Sequence, residues 1–305
     1  MTKLKVMISL AIFLVLVITV TKKLSDLWYS LFKASKSAFE GKVAIVTGSS
    51  RGIGSTIARH LAQGGARVVL NGRNENHLEH VGDVFRKAGF DIITCPADVT
   101  NQGDCRRLVA FTLEKYGRID FLINNAGIGS RGFFEDTCPD VFRTLLDVNV
   151  IGSVLPTMAA LPYLKDSKGS ILFISSLAGL RGIPNRSPYS MTKMAQTSLA
   201  ESLRVELFKS RVHVGIVYVG ITENDILKRI LLSNGEYHPV KKANTIYVDT
   251  QDDVAKTVLR AIQGRVFKTT VGLKGAMYFH LQWLIPWFVD LMFRKNLEHI
   301  RNDEA

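Results

Sequence analysis

The stretch that decides the fold runs from residue 42 to residue 54 and reads KVAIVTGSSRGIG. It begins with an apolar run typical of a buried strand, continues through Gly48, Gly52 and Gly54, and is followed by the helix-like segment STIARHLAQGG. Glycines allow a backbone to approach a phosphate closely, and a helix N-terminus offers unpaired N–H groups and a positive dipole end. The stretch therefore predicts a phosphate-binding turn between a strand and a helix, with an ordinary glycine turn as the alternative.

The same alternation of short apolar runs and longer helix-like stretches continues along the chain. The apolar runs are Val43–Val46, Val68–Leu70, Ile92–Thr94, Phe121–Ile123, Ile171–Ile174 and Val214–Val217. Strands and helices that alternate at this spacing form a parallel sheet with helices on both faces. We therefore expect the α/β class, with a doubly wound parallel sheet in a single domain over residues 41–265.

Composition and charge exclude several classes of protein. The chain has 305 residues, of which 47% are hydrophobic, and its net charge is +12. This balance argues against disorder and against a small disulfide-stabilised scaffold. The three cysteines form no C-x-x-C pair and the seven histidines are dispersed, so we expect no metal site. The basic residues form no aromatic–basic stripe, so an anionic membrane surface is a better partner than nucleic acid.

The N-terminus contains an uncharged stretch, Val6 to Thr21, with lysines on both flanks. Sixteen helical residues span about 24 Å, somewhat less than the roughly 30 Å of a bilayer core, and flanking lysines can snorkel to close the gap. We expect a membrane anchor helix over residues 1–23 and a polar linker over residues 24–40. A cleaved signal peptide and a buried core helix remain alternatives. The anchor would place the chain in the endoplasmic reticulum of a eukaryote or the inner membrane of a bacterium.

The C-terminal extension, residues 266–305, is also apolar. Within it, Ala276 to Phe293 reads AMYFHLQWLIPWFVDLMF, and two basic residues follow. Pro286 and Asp290 argue against one straight spanning helix. Aromatic residues beside basic ones suit a helix or helical hairpin that lies in the membrane interface. A dimer contact or a cover over the core explains the same pattern.

Residues after the second and third apolar runs predict how a dinucleotide would be bound. An acidic residue after the second run would bind the ribose 2′-hydroxyl of NAD, but the sequence there is Asn-Gly-Arg, ending in Arg73. Arg73, with Arg51, could pair with a 2′-phosphate instead, which favours NADP over NAD. Two solvated arginines are the alternative interpretation. Asp98 follows the third run and could accept a hydrogen bond from the adenine amino group.

Three residues further along the chain form a proton-transfer pattern. Ser176 ends the fifth apolar run, and Tyr189 and Lys193 follow in YSMTK. Residues four apart share one helix face, so the ammonium of Lys193 would lie near the phenol of Tyr189. A neighbouring ammonium lowers the pKa of a phenol, whose usual value is about 10. The serine hydroxyl could polarise a substrate carbonyl, so the set suits proton transfer coupled to hydride transfer.

These motifs together resemble the short-chain dehydrogenase/reductase family. TGSSRGIG, NNAG, ISS and YSMTK occur in the family's order, and the resemblance covers roughly Gly41 to Gln263. It implies a single Rossmann-like domain with a central parallel sheet. It also implies that Tyr189 is the general acid/base and that Lys193 binds the nicotinamide ribose and lowers the tyrosine pKa.

Further roles follow from the same resemblance. Ser176, rather than Ser175, would orient the substrate carbonyl, and Asn149 would hold a proton-relay water. The residues expected to bind the cofactor are Gly48, Ser50, Arg51, Gly52, Ile53, Gly54, Arg73, Asp98, Val99, Asn125, Tyr189, Lys193, Gly220 and Thr222.

The sequence departs from the family pattern after the sixth apolar run. Val219-Gly220 stands where the family usually has Pro-Gly, which leaves the contact to the nicotinamide carboxamide open. The segment from Ile221 to Asp249 corresponds to the family's variable substrate lid. Its apolar stripe could close on a substrate or form a plain core helix; the stripe consists of Ile226, Leu227, Ile230, Leu231 and Leu232.

The apolar termini make the chain similar to membrane-attached family members that act on steroid, retinoid or other lipid carbonyls. We therefore expect an NADP(H)-dependent oxidoreductase that interconverts a carbonyl and an alcohol on an apolar substrate, with NAD(H) as the less favoured cofactor. Family members are commonly homodimers or homotetramers. The alternative is a membrane-bound scaffold or redox sensor that binds the nucleotide without turnover.

Overall fold

The computed structural model of the chain describes residues 38–223, 229–239 and 248–302. These residues contain ten strands, and seven of them form the central sheet. The strands are β1 (Val43–Val46), β2 (Arg67–Gly72), β3 (Ile92–Pro96), β4 (Phe121–Asn124), β5 (Gly129–Arg131), β6 (Ser170–Ser176), β7 (His213–Val219), β8 (Arg229–Leu232), β9 (Tyr237–Pro239) and β10 (Lys268–Thr270). All six apolar runs of the sequence are central strands, which confirms the expected α/β sheet.

Helices cover both faces of this sheet. They are α1 (Gly52–Gln63), α2 (Glu75–Lys87), α3 (Gln102–Tyr116), α4 (Pro139–Leu145), α5 (Gly152–Ser167), α6 (Ser187–Glu206), α7 (Gln251–Gln263), α8 (Gly272–Leu284) and α9 (Pro286–Asn302). Buried side chains of α1, α2 and α7 form one core cluster, and those of α3, α5 and α6 form a second. Strand β1 is buried on both sides because Ala44 and Val46 face the first cluster and Ile45 faces the second.

The order of the strands places a crevice at one edge of the sheet. The order is β10-β7-β6-β4-β1-β2-β3, and every pair is parallel. The chain builds outward from β1 to β3 and then crosses back to β4, so the order reverses between β1 and β4. Ligands of such sheets bind outside the carboxyl ends of the strands at this reversal.

A second, small sheet contains two strands of the predicted lid, β8 and β9, and strand β5 from outside it. Strand β5 pairs with β8 in parallel, and β9 pairs with β8 in the antiparallel direction. Arg229–Leu232 is thus a strand, so the core-helix interpretation of the apolar stripe is wrong for these residues. Leu231 is buried, whereas Ile226 and Leu227 lie outside the described residues.

Both ends of the sheet domain differ from the expected boundaries of 41 and 265. Phe39, which was expected in a polar linker, is buried and packs edge-on against Phe121 with ring centroids 5.8 Å apart. At the other end, Lys268–Thr270 pairs with β7 and adds a seventh strand. The domain therefore extends beyond both limits, because apolar packing and sheet pairing continue there.

The C-terminal extension forms two helices that meet at Pro286, as the proline predicted. Their inner side packs on the domain: Phe279 lies against Tyr218, and Val289 is buried. Their outer side leaves Trp283 70% exposed and Trp287 54% exposed.

Two helical segments bear on the expected membrane attachment. The predicted N-terminal anchor lies outside the described residues. Among those described, one helical stretch, Pro139–Ser167, is long and apolar enough to cross a membrane. Ala160 and Leu164 of that stretch are fully buried in the second core cluster. A helix in the core of an α/β domain is buried in the same way, so this helix does not support attachment to a membrane.

Candidate active site

The glycine-rich turn between β1 and α1 packs directly against the chain that follows β4. Gly48 has a φ of +62°, and a Cβ added to it would lie 2.8 Å from the Cα of Ala126. A Cβ on Gly54 would lie 2.4 Å from the carbonyl oxygen of Gly48. Only glycine fits at either position, and this packing brings the first turn of α1 to the crevice.

Asn125 holds this turn in place. Its Nδ2 donates to the carbonyl oxygens of Thr47 at 2.9 Å and Gly48 at 3.0 Å. The hydroxyl of Thr47 in turn accepts hydrogen bonds from the backbone N–H groups of Asn125 and Ala126, both at 3.0 Å. The N-cap residue Arg51 makes no side-chain hydrogen bond to the first turn of α1, and that turn carries no acidic residue. The turn therefore suits the pyrophosphate of a dinucleotide, and Asn125 shapes it.

Arg73 and Asp98 meet at the ends of β2 and β3. Arg73 Nη1 lies 3.9 Å from Asp98 Oδ2, and the Arg73 side chain is 65% exposed. The other carboxylate oxygen of Asp98 accepts from the backbone N–H and the hydroxyl of Thr100, at 2.9 and 2.8 Å. Ser50 belongs to the same group, because a Cβ on Gly72 would lie 3.2 Å from its Oγ. The structure thus brings together three of the residues that were predicted to bind the cofactor, Ser50, Arg73 and Asp98.

The remaining predicted cofactor residues line the same edge. Val99 is buried, and a Cβ on Gly152 at the start of α5 would lie 2.8 Å from it. Thr222 is also buried, and its hydroxyl donates to the carbonyl oxygen of Gly220 at 3.4 Å. The loop is fastened at Asp249, whose backbone pairs with the residues on both sides of Thr222. Ile53 lies in the first turn of α1 and packs against the first core cluster.

Val219, which replaces the family's usual proline, is the last residue of β7. It pairs with Ser176 of β6 and is buried. The strand therefore continues to this position, and the turn that carries Gly220 and Thr222 begins only after it.

Asn149 lies in a π-helical segment, Leu146–Ile151, between α4 and α5, and its side chain is fully buried. Its Oδ1 accepts from the backbone N–H of Ile128 at 2.8 Å. Its Nδ2 donates to the carbonyl oxygen of Ile128 and to the hydroxyl of Thr192, both at 2.9 Å. These bonds join the segment after β4 to helix α6, which carries Tyr189 and Lys193.

Lys193 is buried in the interior of this site. Its Nζ donates to the carbonyl oxygen of Ile174 at 3.0 Å and to Oε1 of Gln196 at 2.9 Å. It also lies 5.7 Å from the centroid of the Tyr189 ring. A Cβ on Gly127 would lie 3.7 Å from this nitrogen and 3.0 Å from Asn149 Oδ1. The segment after β4 therefore passes close to both the ammonium of Lys193 and the carboxamide of Asn149.

The surroundings of Tyr189 act on the pKa of its hydroxyl in opposite directions. Burial raises the pKa of Tyr189, whereas a hydrogen bond with Ser176 and the positive charge of Arg186 lower it. The neighbouring Ser175 is turned away, because its hydroxyl donates to the carbonyl oxygen of Lys193 at 3.4 Å. Of the two serines, Ser176 is therefore the one that hydrogen-bonds with Tyr189.

Sequence reasoning missed two side chains of this site. Arg186 lies at the N-cap of α6, three residues before Tyr189, and burial lowers its pKa. Gln196 lies three residues after Lys193 and is fully buried. Spacings of three and four residues place both positions near the Tyr189–Lys193 pair, but they do not indicate that Gln196 is buried.

Tyr189 packs against a third apolar cluster, formed by Val141, Leu145 and Leu231. Leu231 comes from the predicted lid, so the lid contributes to the apolar surroundings of the tyrosine. A separate pocket of about 610 Å³ lies between α6 and α9 and is lined by Met191 and Met194. At about 100° per residue, these methionines point away from Tyr189 around the helix, so this pocket is not the site of the tyrosine.

Comparison with known proteins identifies the class of protein. The family model described as short chain dehydrogenase matches residues 42–234. The chain is 38% identical over 231 residues to 11-beta-hydroxysteroid dehydrogenase-like 4A of Arabidopsis thaliana, covering 74% of this chain and 75% of the relative. It is 42% identical over 189 residues to 11-beta-hydroxysteroid dehydrogenase 1A of the same plant, covering 61% of this chain and 54% of the relative.

Solved structures agree with this match. A short chain dehydrogenase/reductase from Burkholderia phymatum in complex with NAD has a TM-score of 0.70 at 25% identity, covering 80% of this chain and 93% of that chain. An alcohol dehydrogenase from the archaeon Thermococcus sibiricus complexed with 5-hydroxy-NADP has a TM-score of 0.66 at 26% identity, covering 75% of this chain and 95% of that chain.

The chain therefore belongs to the short-chain dehydrogenase family. It is an oxidoreductase of the type that acts on hydroxyl and carbonyl groups with a nicotinamide dinucleotide. The relatives it resembles include plant proteins named as 11-beta-hydroxysteroid dehydrogenases.

Proposed function

We propose that the protein is a membrane-attached, NADP(H)-dependent oxidoreductase that interconverts a carbonyl and an alcohol on an apolar, steroid-like substrate. The observation that carries this proposal is the position of Tyr189, between Ser176, Arg186 and Lys193 and against the apolar cluster that includes Leu231. Proton donors and cations meet there beside an apolar surface, which suits reduction of a carbonyl on an apolar molecule.

The dinucleotide would lie along the carboxyl edge of the sheet and would supply or accept the hydride when bound. The turn at Gly48 and Gly54 and the first N–H groups of α1 would hold its pyrophosphate. Lys193 would hold the nicotinamide ribose, close to the backbone at Gly127. Gly220 and Thr222 would face the nicotinamide carboxamide.

Side chains of the protein would donate and accept the proton that accompanies hydride transfer. Ser176 would donate a hydrogen bond to the substrate carbonyl and polarise it. Tyr189 would give its proton to the oxygen as the carbonyl is reduced and take it back during alcohol oxidation. The charges of Lys193 and Arg186 would stabilise the phenolate that remains. Asn149 would fix the segment that faces the ammonium.

The preference for NADP rests on the charges after β2. Asn71, near the end of β2, is buried, and its Nδ2 donates to the carbonyl oxygens of Cys95 and Ala97, at 3.2 and 3.1 Å. Its side-chain amide is therefore bonded to the main chain of the neighbouring strand and the residues after it. The next charged residue, Arg73, is exposed at the rim of the crevice, where it could pair with a 2′-phosphate. Asp98 pairs with this arginine and would accept a hydrogen bond from the adenine amino group of the dinucleotide.

The apolar substrate class is supported by the surroundings of Tyr189 and by the names of the similar plant proteins. Val141, Leu145 and Leu231 present an apolar surface beside the reacting hydroxyl. A rigid polycyclic or long-chain carbonyl compound would bury this surface, and burial contributes about 25 cal/mol for each Å² removed from water.

Attachment to a membrane is supported by the exposed side of α8 and α9. Trp283 and Trp287 are more than half exposed there, and Arg294 and Lys295 follow. Tryptophans next to basic residues are typical of helices at a membrane surface. Residues 1–23 would supply a second attachment.

The experiment that tests the proposed function is a substrate panel with detergent-solubilised protein. NADPH consumption would be followed with steroid ketones, retinal and long-chain keto lipids, each beside an NADH control and a short polar ketone. We expect turnover with NADPH and at least one apolar ketone. Turnover only with NADH or only with the polar ketone would contradict the proposal, and tight NADPH binding without turnover would favour a scaffold or sensor.

A further inference from the structure

The carboxamide of Gln196 connects two parts of the candidate active site. Its Oε1 accepts a hydrogen bond from Lys193 Nζ at 2.9 Å. Its Nε2 donates to the carbonyl oxygen of Asn149 at 2.8 Å and to the hydroxyl of Ser153 at 2.8 Å. Gln196, Asn149 and Ser153 are all essentially inaccessible to solvent. One side chain therefore bridges the ammonium of α6 and the π-helical segment that holds Asn149.

The partners of the ammonium matter because burial disfavours a charged lysine. Lys193 is only 4% exposed, and a lysine at such a depth tends to lose its proton. Hydrogen bonds to the charged form oppose this tendency. Among its acceptors are the carbonyl oxygens of Gln196 at 2.9 Å and Ile174 at 3.0 Å, which carry no net charge. They stabilise the ammonium without placing an opposite charge beside it.

We propose that Gln196 is a positioning residue that keeps Lys193 charged and directed at Tyr189, and that fixes it to the main chain at Asn149. The inference rests on the proposed function, because the charge matters through the tyrosine that exchanges the proton. An amide is suited to this role: it accepts from the ammonium on one side and donates to a carbonyl on the other. A carboxylate of the same shape would do only the first and would neutralise the lysine.

Other charges also act on Tyr189. Arg186 lies at the N-cap of the same helix and lowers the pKa of the tyrosine, and Arg131 of the neighbouring strand β5 acts on Arg186. Both cations remain in any variant of Gln196. A change that follows substitution of Gln196 therefore reports the contribution of Lys193.

The test measures the ionisation of Tyr189 directly. Tyrosinate absorbance would be titrated in the full-length protein and in Tyr189→Phe, and the difference would isolate this one phenol. The same difference, between the protein with Tyr189 and the protein with Tyr189→Phe, would be measured in chains that also carry Gln196→Glu or Gln196→Met. We expect both substitutions to raise the pKa of Tyr189, with the glutamate variant raising it by about one unit, as is usual when a nearby charge is neutralised. Gln263→Glu adds the same charge on α7, on the other face of the sheet, and should leave the titration unchanged.

A purely structural role predicts a different result. In that case Gln196→Met would lower thermal stability but leave the pKa of Tyr189 unchanged, and that outcome would overturn the proposal. If the glutamate variant fails to fold, the methionine variant alone decides. The titration needs no substrate, so a failure to find turnover bears on the proposed function and leaves this test intact. With a substrate in hand, we also expect the methionine variant to lower kcat by a larger factor than it raises KM or the Kd of NADPH, because Lys193 would also hold the nicotinamide ribose.

Discussion

The ammonium nitrogen of Lys193 lies 5.7 Å from the centre of the Tyr189 ring. The residue pair was predicted from its four-residue spacing, but the structure adds a second cation, Arg186, at the N-cap of the same helix. Burial raises the pKa of Tyr189, and the hydrogen bond with Ser176 and the charge of Arg186 oppose that rise. The pKa of the phenol therefore depends on burial, on Ser176 and on Arg186, which the four-residue spacing did not indicate.

Arg186 should influence the pH dependence of catalysis. Replacement by Gln removes a positive charge, so the pKa of Tyr189 should rise. Alcohol oxidation needs the phenolate, and its rate increases as the pH rises through this pKa. In Arg186→Gln the rising limb of kcat against pH should move to higher pH, whereas Arg186→Lys should keep the limb near its original place. A limb that is identical in all three proteins would show that Arg186 does not act on the tyrosine.

Arg73 should determine the choice between the two dinucleotides. Arg73→Ala removes the cation expected to pair with the 2′-phosphate and leaves the carboxylate of Asp98 without its partner at 3.9 Å. A hydrogen bond to a charged group contributes about 1.5–3 kcal/mol, so the Kd of NADPH should rise roughly tenfold to a hundredfold. The Kd of NADH should change little.

The control for this measurement is Arg143→Ala, which removes an exposed arginine paired with Asp140 on α4. Titration calorimetry with both dinucleotides would be done on all three proteins. Equal losses of NADPH and NADH affinity in Arg73→Ala would mean that the arginine does not recognise the 2′-phosphate.

His213 should make the fold sensitive to mild acid. It is buried at the start of β7, its Nε2 contacts the carbonyl oxygen of Val266 at 3.1 Å, and burial lowers its pKa to about 4. In the unfolded chain its pKa is about 6.5, so the unfolded state binds the proton more readily. The contribution of neutral His213 to the free energy of unfolding is complete above pH 6.5 and is lost as the pH falls towards 4. The loss amounts to about 3 kcal/mol.

Urea unfolding at pH 7.5 and pH 4.5 would test this, with His213→Gln as the comparison. The variant should lose less stability between the two pH values than the unchanged protein. The same loss in both proteins would assign the acid sensitivity to other groups.

The exposed side of the C-terminal helices should bind lipid. Trp287→Glu places a charge on this side, so association with vesicles that contain anionic lipid should fall when measured on protein lacking residues 1–23. Phe208→Glu is the matched control, because Phe208 is 80% exposed in the turn that follows α6. Equal binding of both variants and the parent would argue that α8 and α9 form a protein contact instead.

The sequence predicted the central sheet and the edge of the sheet at which the candidate site lies, for physical reasons. Parallel strands buried on both faces are continuous apolar runs, such as Val43–Val46, and are easily recognised. Functional residues of such sheets follow the carboxyl ends of the strands, which is why Asp98 and Ser176 could be placed before the structure was known.

Other features had no such signal. Strand β10 has only three residues, Lys268–Thr270, and all are partly exposed, so it lacks an apolar pattern. Strand β5 is equally short, with a single buried residue, Ser130. The contribution of Gln196 depends on tertiary contacts, since a glutamine in a helix usually faces solvent. These features depend on contacts between residues far apart in the sequence, such as strand pairing, and not on the local sequence.

The most direct test of the account is Tyr189→Phe, assayed for NADPH-dependent reduction of an apolar ketone beside the Kd of NADPH. The substitution removes only the hydroxyl and leaves the ring packed against Leu231. The account predicts that kcat falls by at least about a thousandfold, near the upper range of general acid catalysis, while the Kd of NADPH stays within about twofold. Reduction that continues at a comparable rate in Tyr189→Phe would contradict it.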